Sequence, residues 1–191
     1  MTYCYNNVIF RIDLNGHRTS YIDDQDDPRW ADKAVGFWGN VADNGCGAIA
    51  IYNVLRSFSI KITLSKVLSD LRWKYGSIIY NNIGVIGISP SSIVNYMRSK
   101  FWFVFTAGPS TYWWRAKSEL SKAVIILYAN KDWNGLHYIA GIRGDTSYNF
   151  YNCQYISSGK KTNIPTLLSK LKEKKCKPLY FIGVSEKYWW W

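Results

Sequence analysis

Before residue 100, hydrophobic residues recur with the spacing of helices. The segment 46–59, CGAIAIYNVLRSFS, has apolar residues on several sides and no helix breaker after its second residue, which predicts a helix buried on most faces. A second helix is predicted over 63–73, with Thr63 as its N-cap. A third is predicted over 91–100, because Pro90 stands where proline opens helices.

After residue 100 the apolar residues form short runs of the kind that build strands. An amphipathic helix, predicted over 162–175 with leucines on one side, separates the last run from the others. The predicted strands cover 101–108, 123–130, 137–142, 148–154 and 179–185. Helices that precede a set of antiparallel strands are typical of an α+β domain.

Length and composition favour one domain. The chain has 191 residues, of which 48% are hydrophobic, so it can bury a sizeable core. We expect a polar N-terminal arm over 1–36, a core over 37–185 and an aromatic tail over 186–191. No apolar run approaches the roughly 18 residues of a membrane-spanning helix. Because the N-terminus lacks the pattern of a secretory signal, a cytoplasmic location is expected, with export left open.

The chain is strongly basic, with a formal net charge of +11. Nucleic acids, anionic membranes and acidic substrates are the usual partners of basic surfaces. The dense basic run at 170–177 has the spacing of the solvated side of a helix. No nucleic-acid partner is therefore expected.

The cysteines are far apart in the sequence. Cys4, Cys46, Cys153 and Cys176 form no CxxC pair and no cluster with histidine, so neither a metal site nor another cofactor is predicted. A chain of this length can also build its core without disulfides. We infer that at least one of the four is present for its reactivity.

Cys46 lies between two glycines at the predicted start of the first helix. The unpaired N–H groups and partial positive charge of a helix start favour a thiolate, so the pKa of this thiol should fall below its usual value of about 8.5. The same N–H groups suit an oxyanion. The alternative is a buried structural cysteine, the commonest fate of a free one.

His137 and Asn152 supply a base and an orienting group in a predicted hairpin. The dipeptide at 144–145, Gly-Asp, suits a two-residue turn. If Arg143 pairs with Thr146, His137 lies directly opposite Asn152 on the same face. The amide oxygen of Asn152 would then hold one imidazole nitrogen and leave the other for a thiol, as in cysteine hydrolases.

Residues 36–184 resemble the papain-like cysteine peptidases of the compact bacterial kind. The similarity is greatest to the double-glycine leader peptidases of bacteriocin exporters and their free-standing relatives. The segments that carry it are Cys46-Gly47 at a helix start, GISPSSIVNYMRS at 87–99, AVIILYANKDWNGLHYIAGI at 123–142, and FYNCQ, which contains Asn152. The resemblance implies one papain-like domain, with Cys46 as nucleophile, His137 as base and Asn152 as third member.

The resemblance also implies an oxyanion hole. Six residues before the cysteine the family usually has glutamine, where this chain has Asn40, a shorter amide. Asn40 is the expected donor beside the Cys46 N–H, and Asn44 is the alternative. A loop asparagine that stabilises its own turn is the competing interpretation of both.

Three residues near the predicted cleft are expected to contact substrate: Trp38, Gly45 and Trp133. Trp133 could equally cap the turn that precedes the histidine strand. The terminal run at 188–191, YWWW, either packs against the closing strand or contacts a membrane interface, and packing is favoured.

The function predicted from these residues is a cysteine-dependent hydrolase that cuts a peptide or protein substrate through an acyl-enzyme. Acyl transfer of the transglutaminase kind uses the same three residues with an amine in place of water, so it stays open. An inactive papain-like module that binds peptides is the third alternative.

Overall fold

The fold is described by a computed structural model, in which α-helices and antiparallel sheets are combined as the α+β prediction requires. The residues described are 21–36, 39–74, 78–81, 84–109, 114, 118–133, 135–156 and 161–185. Cys4 and the aromatic tail over 186–191 lie outside them. No helix within the described ranges has the length and apolar character needed to cross a membrane.

Helices form at the four predicted places and at one further turn, and most of them begin at a polar side-chain cap. They are α1 Val41–Asn44, α2 Cys46–Ser57, α3 Leu64–Lys74, α4 Pro90–Arg98 and α5 Ile164–Glu173. The Thr63 hydroxyl accepts from the Lys66 N–H at 3.2 Å, which confirms Thr63 as the cap of α3. The cap of α5 is Asn163, whose side chain accepts from the Thr166 N–H at 2.8 Å.

One six-stranded antiparallel sheet forms the centre of the fold, with strand order β5-β10-β6-β7-β8-β9. Two further strand pairs, β1 with β2 and β3 with β4, lie outside it. The strands are β1 Ala34–Val35, β2 Gly39–Asn40, β3 Ile78–Asn81, β4 Gly84–Ile88, β5 Phe103–Ala107, β6 Ala123–Ala129, β7 Leu136–Arg143, β8 Tyr148–Tyr151, β9 Lys161–Thr162 and β10 Lys177–Ser185.

The central sheet is covered on both faces, and its inner strand β6 is hydrophobic at every position. All seven residues of β6 are buried, and successive side chains point to opposite faces. Ile125 and Leu127 belong to the core shared with α2, α3 and α4, whereas Val124 and Ile126 belong to a second core with α5. Helix α2 has nine of its twelve residues buried, as the apolar spacing predicted.

Part of the N-terminal arm belongs to the core, although its sequence predicted a polar segment. Ile22 and Val35 are 3% and 1% exposed and belong to the core shared with α2. The Ile22 N–H donates to Asn53 Oδ1 at 2.8 Å, and Asn53 Nδ2 donates back to the Ile22 carbonyl at 2.7 Å. This reciprocal pair fixes the arm to the middle of α2.

Two local expectations differ from the structure. The β3–β4 pair had no counterpart among the predicted elements, and it interrupts the order of helices followed by strands. Residues 39–44, for which no element was predicted, contain β2 and the single turn α1. The Asn40 side chain creates that turn by accepting from the Asp43 N–H at 2.8 Å.

The register predicted for the β7–β8 hairpin is wrong by two residues. Arg143 pairs with Tyr148 instead of Thr146, and the connection is a four-residue loop closed by a bond from the Gly144 N–H to the Ser147 carbonyl at 2.8 Å. Neither Gly144 nor Asp145 has the positive φ that a two-residue type I′ turn needs at both positions. Asn152 therefore follows the end of β8 and is not part of a cross-strand pair.

Candidate active site

Cys46 is the first residue of α2 and lies at a helix start that is tightly packed on all sides. It is 9% exposed. A Cβ on Gly45 would lie 2.6 Å from the Val41 carbonyl oxygen, and one on Gly47 would lie 3.2 Å from the Ile88 Cβ. Because neither glycine has a side chain, α1 and β4 can lie close to Cys46. Gly45 is itself buried, and the space where its side chain would be is filled by Val41.

Three groups hold the sulfur of Cys46: the His137 side chain and the backbone N–H groups of Tyr138 and Gly47. Burial by itself would raise the pKa of this thiol. The hydrogen bond and the charge of His137, together with the two N–H groups, outweigh that effect and lower the pKa below its ordinary value. These contacts shift the thiol toward its thiolate, in the direction expected from the helix start, with His137 as the largest contributor.

His137 is the second residue of β7, and each of its two ring nitrogens has a partner. Its Nε2 lies 2.7 Å from the backbone carbonyl oxygen of Asn152, so Nε2 carries the proton and donates it to that oxygen. Nδ1 is the ring nitrogen left for the Cys46 sulfur. The Tyr128 ring, directly across on β6, lies 5.5 Å from the imidazole between ring centroids.

The contacts of His137 raise the pKa of its imidazole. Burial lowers the pKa of His137, but the hydrogen bond and charge of Cys46 and the bond to the Asn152 carbonyl raise it more, so that the pKa lies above its usual value. A lowered thiol pKa beside a raised imidazole pKa is the signature of a thiolate–imidazolium pair.

Asn152 lies against His137 as predicted, but a different group makes the contact. The backbone carbonyl binds the imidazole, whereas the side-chain Nδ2 donates to Gln25 Oε1 at 3.2 Å. The backbone of Asn152, directly after the end of β8, is left-handed with φ of 56°. This conformation suits asparagine better than most residues and aims its carbonyl at the imidazole.

Candidate oxyanion donors surround the start of α2. Within the described part of the chain, no backbone carbonyl accepts from the Cys46 N–H. Asn40 uses its side-chain oxygen as the cap of α1, which leaves its amide N–H groups as donors. The side chain of Asn44 is turned toward β2, where its oxygen would lie 2.6 Å from a Cβ on Gly39. Asn40 therefore remains the better candidate.

The predicted substrate-contacting tryptophans lie in different situations. Trp133 is 60% exposed in the 3₁₀ turn Lys131–Trp133, four residues before His137, and has a left-handed φ of 59°. The Lys177 ammonium lies 5.1 Å from the centre of its ring. Leu136, the residue before His137, is 45% exposed. Trp38 lies outside the described residues.

Other cysteines of the described residues lack these features. Cys153 is buried, and burial raises the pKa of its thiol. Cys176 is 5% exposed and lies 3.3 Å from the Tyr155 hydroxyl. Among the residues described, no three His, Cys, Asp or Glu side chains are grouped so that they could hold a metal ion.

Sequence reasoning missed two residues of the arm that contact Asn152. Asp23 Oδ1 accepts from the Asn152 N–H at 3.1 Å, and Gln25 binds its side chain. More than 120 residues separate these partners, so no local pattern could have paired them. Tyr138, whose N–H reaches the sulfur, was visible only as the residue after the histidine.

Comparison with known proteins adds no family assignment: no protein-family model and no curated protein matches the chain significantly.

Proposed function

We propose that the protein is a cysteine-dependent hydrolase that cleaves peptide bonds. The observation that carries the proposal is the direct contact between the Cys46 sulfur and the His137 imidazole at the start of a buried helix. The thiol pKa is lowered and the imidazole pKa is raised by the same contact. A structural cysteine needs neither a basic partner nor hydrogen bonds to its thiolate.

The reaction follows from the groups around the sulfur. The Cys46 thiolate attacks the carbonyl carbon of the scissile bond, and the carbonyl electrons move to its oxygen. The Cys46 N–H and the Asn40 amide stabilise that oxyanion, and donors of this kind each contribute about 3–4 kcal/mol. When the tetrahedral intermediate collapses, the imidazolium of His137 gives its proton to the departing amine.

Hydrolysis of the acyl-enzyme reverses these roles. His137, now neutral, takes a proton from water, whose oxygen attacks the thioester carbonyl. The Cys46 thiolate then leaves and is again protonated or paired with imidazolium. In both halves the Asn152 carbonyl keeps the proton on Nε2, so that Nδ1 does the exchange.

The arrangement supports the papain-like resemblance. In this proposal α2 carries the nucleophile and packs against the central antiparallel sheet. Strand β7 of that sheet carries the base. A substrate peptide would lie over His137 and the exposed surface of Trp133 and Leu136. The third member of the site acts through its main chain, which requires only that the carbonyl be held in place.

Two measurements test the proposal together. The purified chain is incubated with a peptide library and the products are identified by mass spectrometry. In parallel, Cys46 is labelled with iodoacetamide at about pH 6, where ordinary thiols are almost fully protonated. We expect cleavage that disappears in Cys46→Ala and persists in Cys153→Ala, and labelling of Cys46 with Cys153 spared.

The outcomes separate the alternatives. Cleavage that survives Cys46→Ala would show that the nucleophile is assigned wrongly. Amide products formed with an added amine, in place of hydrolysis, would mean acyl transfer. Equal labelling of all cysteines without any turnover would mean a binding module.

A further inference from the structure

Asn152 is held from three directions by the N-terminal arm and by the imidazole. Its carbonyl accepts from His137, its N–H donates to Asp23 Oδ1, and its side-chain amide donates to Gln25 Oε1. The residue is 7% exposed and has a left-handed φ of 56°. A non-glycine residue keeps such a conformation only where its surroundings enforce it.

The arm segment 22–25 contacts the nucleophile side of the site as well. Gln25 Nε2 donates to the Ala42 carbonyl of α1, the turn that leads directly into Cys46. Ile22 is bound through both backbone groups to the side chain of Asn53 in α2. The segment therefore spans from the helix that carries the sulfur to the residue that holds the imidazole.

Resting on the proposed function, we propose that residues 22–25 are a positioning strap, in which Asp23 and Gln25 hold the Asn152 carbonyl and thereby the His137 imidazole against the Cys46 sulfur. Both arm residues contact Asn152, and the proposed role acts through that residue. Their role is to fix the one group that orients the base, while the bonds to α1 and α2 set its distance from the nucleophile.

A strap is needed because the group that orients the imidazole is a backbone carbonyl and not a side chain. A side-chain orienting group has its own rotamers, but a backbone carbonyl follows the φ and ψ of its residue. β8 ends at Tyr151, so Asn152 has no partner strand to define its backbone. The arm supplies the missing partners, and an error of about 1 Å in such a position can cost about 100-fold in rate.

The test compares Asp23→Ala and Gln25→Ala with the wild type in the full chain. Asp23→Asn keeps an oxygen that can accept from the Asn152 N–H, and Asp32→Ala removes an exposed carboxylate from the same arm as a matched control. For each protein we measure the free energy of unfolding in urea, kcat/KM on the cleaved peptide, and the pH midpoint of Cys46 alkylation by iodoacetamide.

The alkylation midpoint reports the thiolate–imidazolium pair rather than the fold. Among the described residues, the phenols of Tyr128 and Tyr138 lie beside the pair, and burial raises the pKa of both. Neither phenol therefore ionises in the range where the pair titrates. The Asp23 carboxylate lies one residue further away, on the Asn152 N–H, and Asp23→Asn removes its charge while keeping the hydrogen bond. A role that is only structural would lower stability but leave the midpoint of the folded protein unchanged.

We expect both alanine variants to move the midpoint upward, toward that of an ordinary thiol, and to lower kcat/KM about 10- to 100-fold. Asp23→Asn and Asp32→Ala should stay close to the wild type. If Asp23→Ala does not fold, Gln25→Ala and Asp23→Asn still carry the comparison. Folded Gln25→Ala with the wild-type midpoint and kcat/KM would overturn the strap.

The proposed function fails in a distinguishable way. A wild-type chain with no peptide cleavage and an ordinary Cys46 midpoint would overturn the function, and the strap with it. A wild type that is active with a low midpoint, beside arm variants that match it, overturns the strap alone.

Discussion

The His137 imidazole is bound by the main chain of Asn152, with Nε2 lying 2.7 Å from the carbonyl oxygen. The side-chain amide of Asn152 points elsewhere, to Gln25. The orienting group of the candidate site is therefore defined by backbone conformation, and the identity of the side chain matters through the φ of 56° that it must tolerate.

This relationship predicts different effects for two substitutions of Asn152. Asn152→Gly keeps the carbonyl and adopts a left-handed φ without strain. It breaks the bond to Gln25 but leaves the Gln25–Ala42 bond, so kcat/KM should fall only severalfold, less than in Gln25→Ala, which breaks both. Asn152→Ala keeps the carbonyl but strains the backbone by about 1–2 kcal/mol, so it should be less stable and about tenfold slower or worse.

Steady-state kinetics and urea unfolding of both variants check this prediction. Equal and near-complete inactivation of Asn152→Gly and Asn152→Ala would mean that the side-chain amide, and not the carbonyl, acts on the imidazole.

The pH dependence of kcat/KM follows from the direction of the two pKa shifts. The pKa of the Cys46 thiol is lowered and that of the His137 imidazole is raised, and the ion pair is expected in the pH range between the two. Activity should rise with pH as the thiol ionises and fall as the imidazolium loses its proton. A pH–rate profile measures both limbs, and the acidic limb should lie well below the usual thiol value of about 8.5. A profile that only rises, with its midpoint near that value, would contradict the pair.

Substitution of Gly47 is expected to overpack the region beside Cys46. In Gly47→Ala the new Cβ would lie 3.2 Å from the Ile88 Cβ and 3.3 Å from the Ile93 Cδ1. We expect a loss of about 1–3 kcal/mol in the free energy of unfolding, with lowered activity because the start of α2 moves. Gly144→Ala is the matched control, since its nearest neighbour would be the Ser147 carbonyl at 3.8 Å. Urea unfolding compares the two, and equal stabilities would refute the tight contact.

Substitution of Trp133 is expected to weaken substrate binding and to leave the chemical step unchanged. The side chain is 60% exposed beside the start of the histidine strand, so Trp133→Ala should raise KM about fivefold and leave kcat nearly unchanged. Trp102, 80% exposed next to β5, provides a control tryptophan. If both variants have the same KM as the wild type, Trp133 does not contact the substrate.

The sequence predicts the parts of this site that depend on local patterns. Cys46 at a helix start, Thr63 as a helix cap and His137 at the beginning of an apolar strand all follow from spacing and flanking residues. In each case the structural reason lies within a few residues of the one concerned, so a pattern of neighbours is sufficient.

The hairpin register shows where local patterns fail. A shift of two residues leaves every side chain of β8 on the same face, so the alternation of apolar and polar residues fits both registers. The turn sequence at 144–145 favoured the shorter loop, and the structure has the longer one. This difference changes the contact between Asn152 and His137 from side chain to main chain.

The contribution of the arm depends on long-range contacts. Asp23 and Gln25 lie in an acidic, polar stretch that is typical of a solvated segment. Their partner Asn152 was itself expected to face the histidine. Only the path of the arm across α2, fixed by Ile22 and Asn53, brings them together.

The central claim, that the Cys46 sulfur and the His137 imidazole form an ion pair, is tested most directly by alkylation of Cys46 as a function of pH in the wild type and in His137→Gln. The account predicts a wild-type midpoint well below the value of about 8.5 of an ordinary thiol, and a midpoint in His137→Gln that is raised to that value or above it. Identical midpoints in the two proteins would contradict the ion pair, because the histidine would then have no influence on the thiolate.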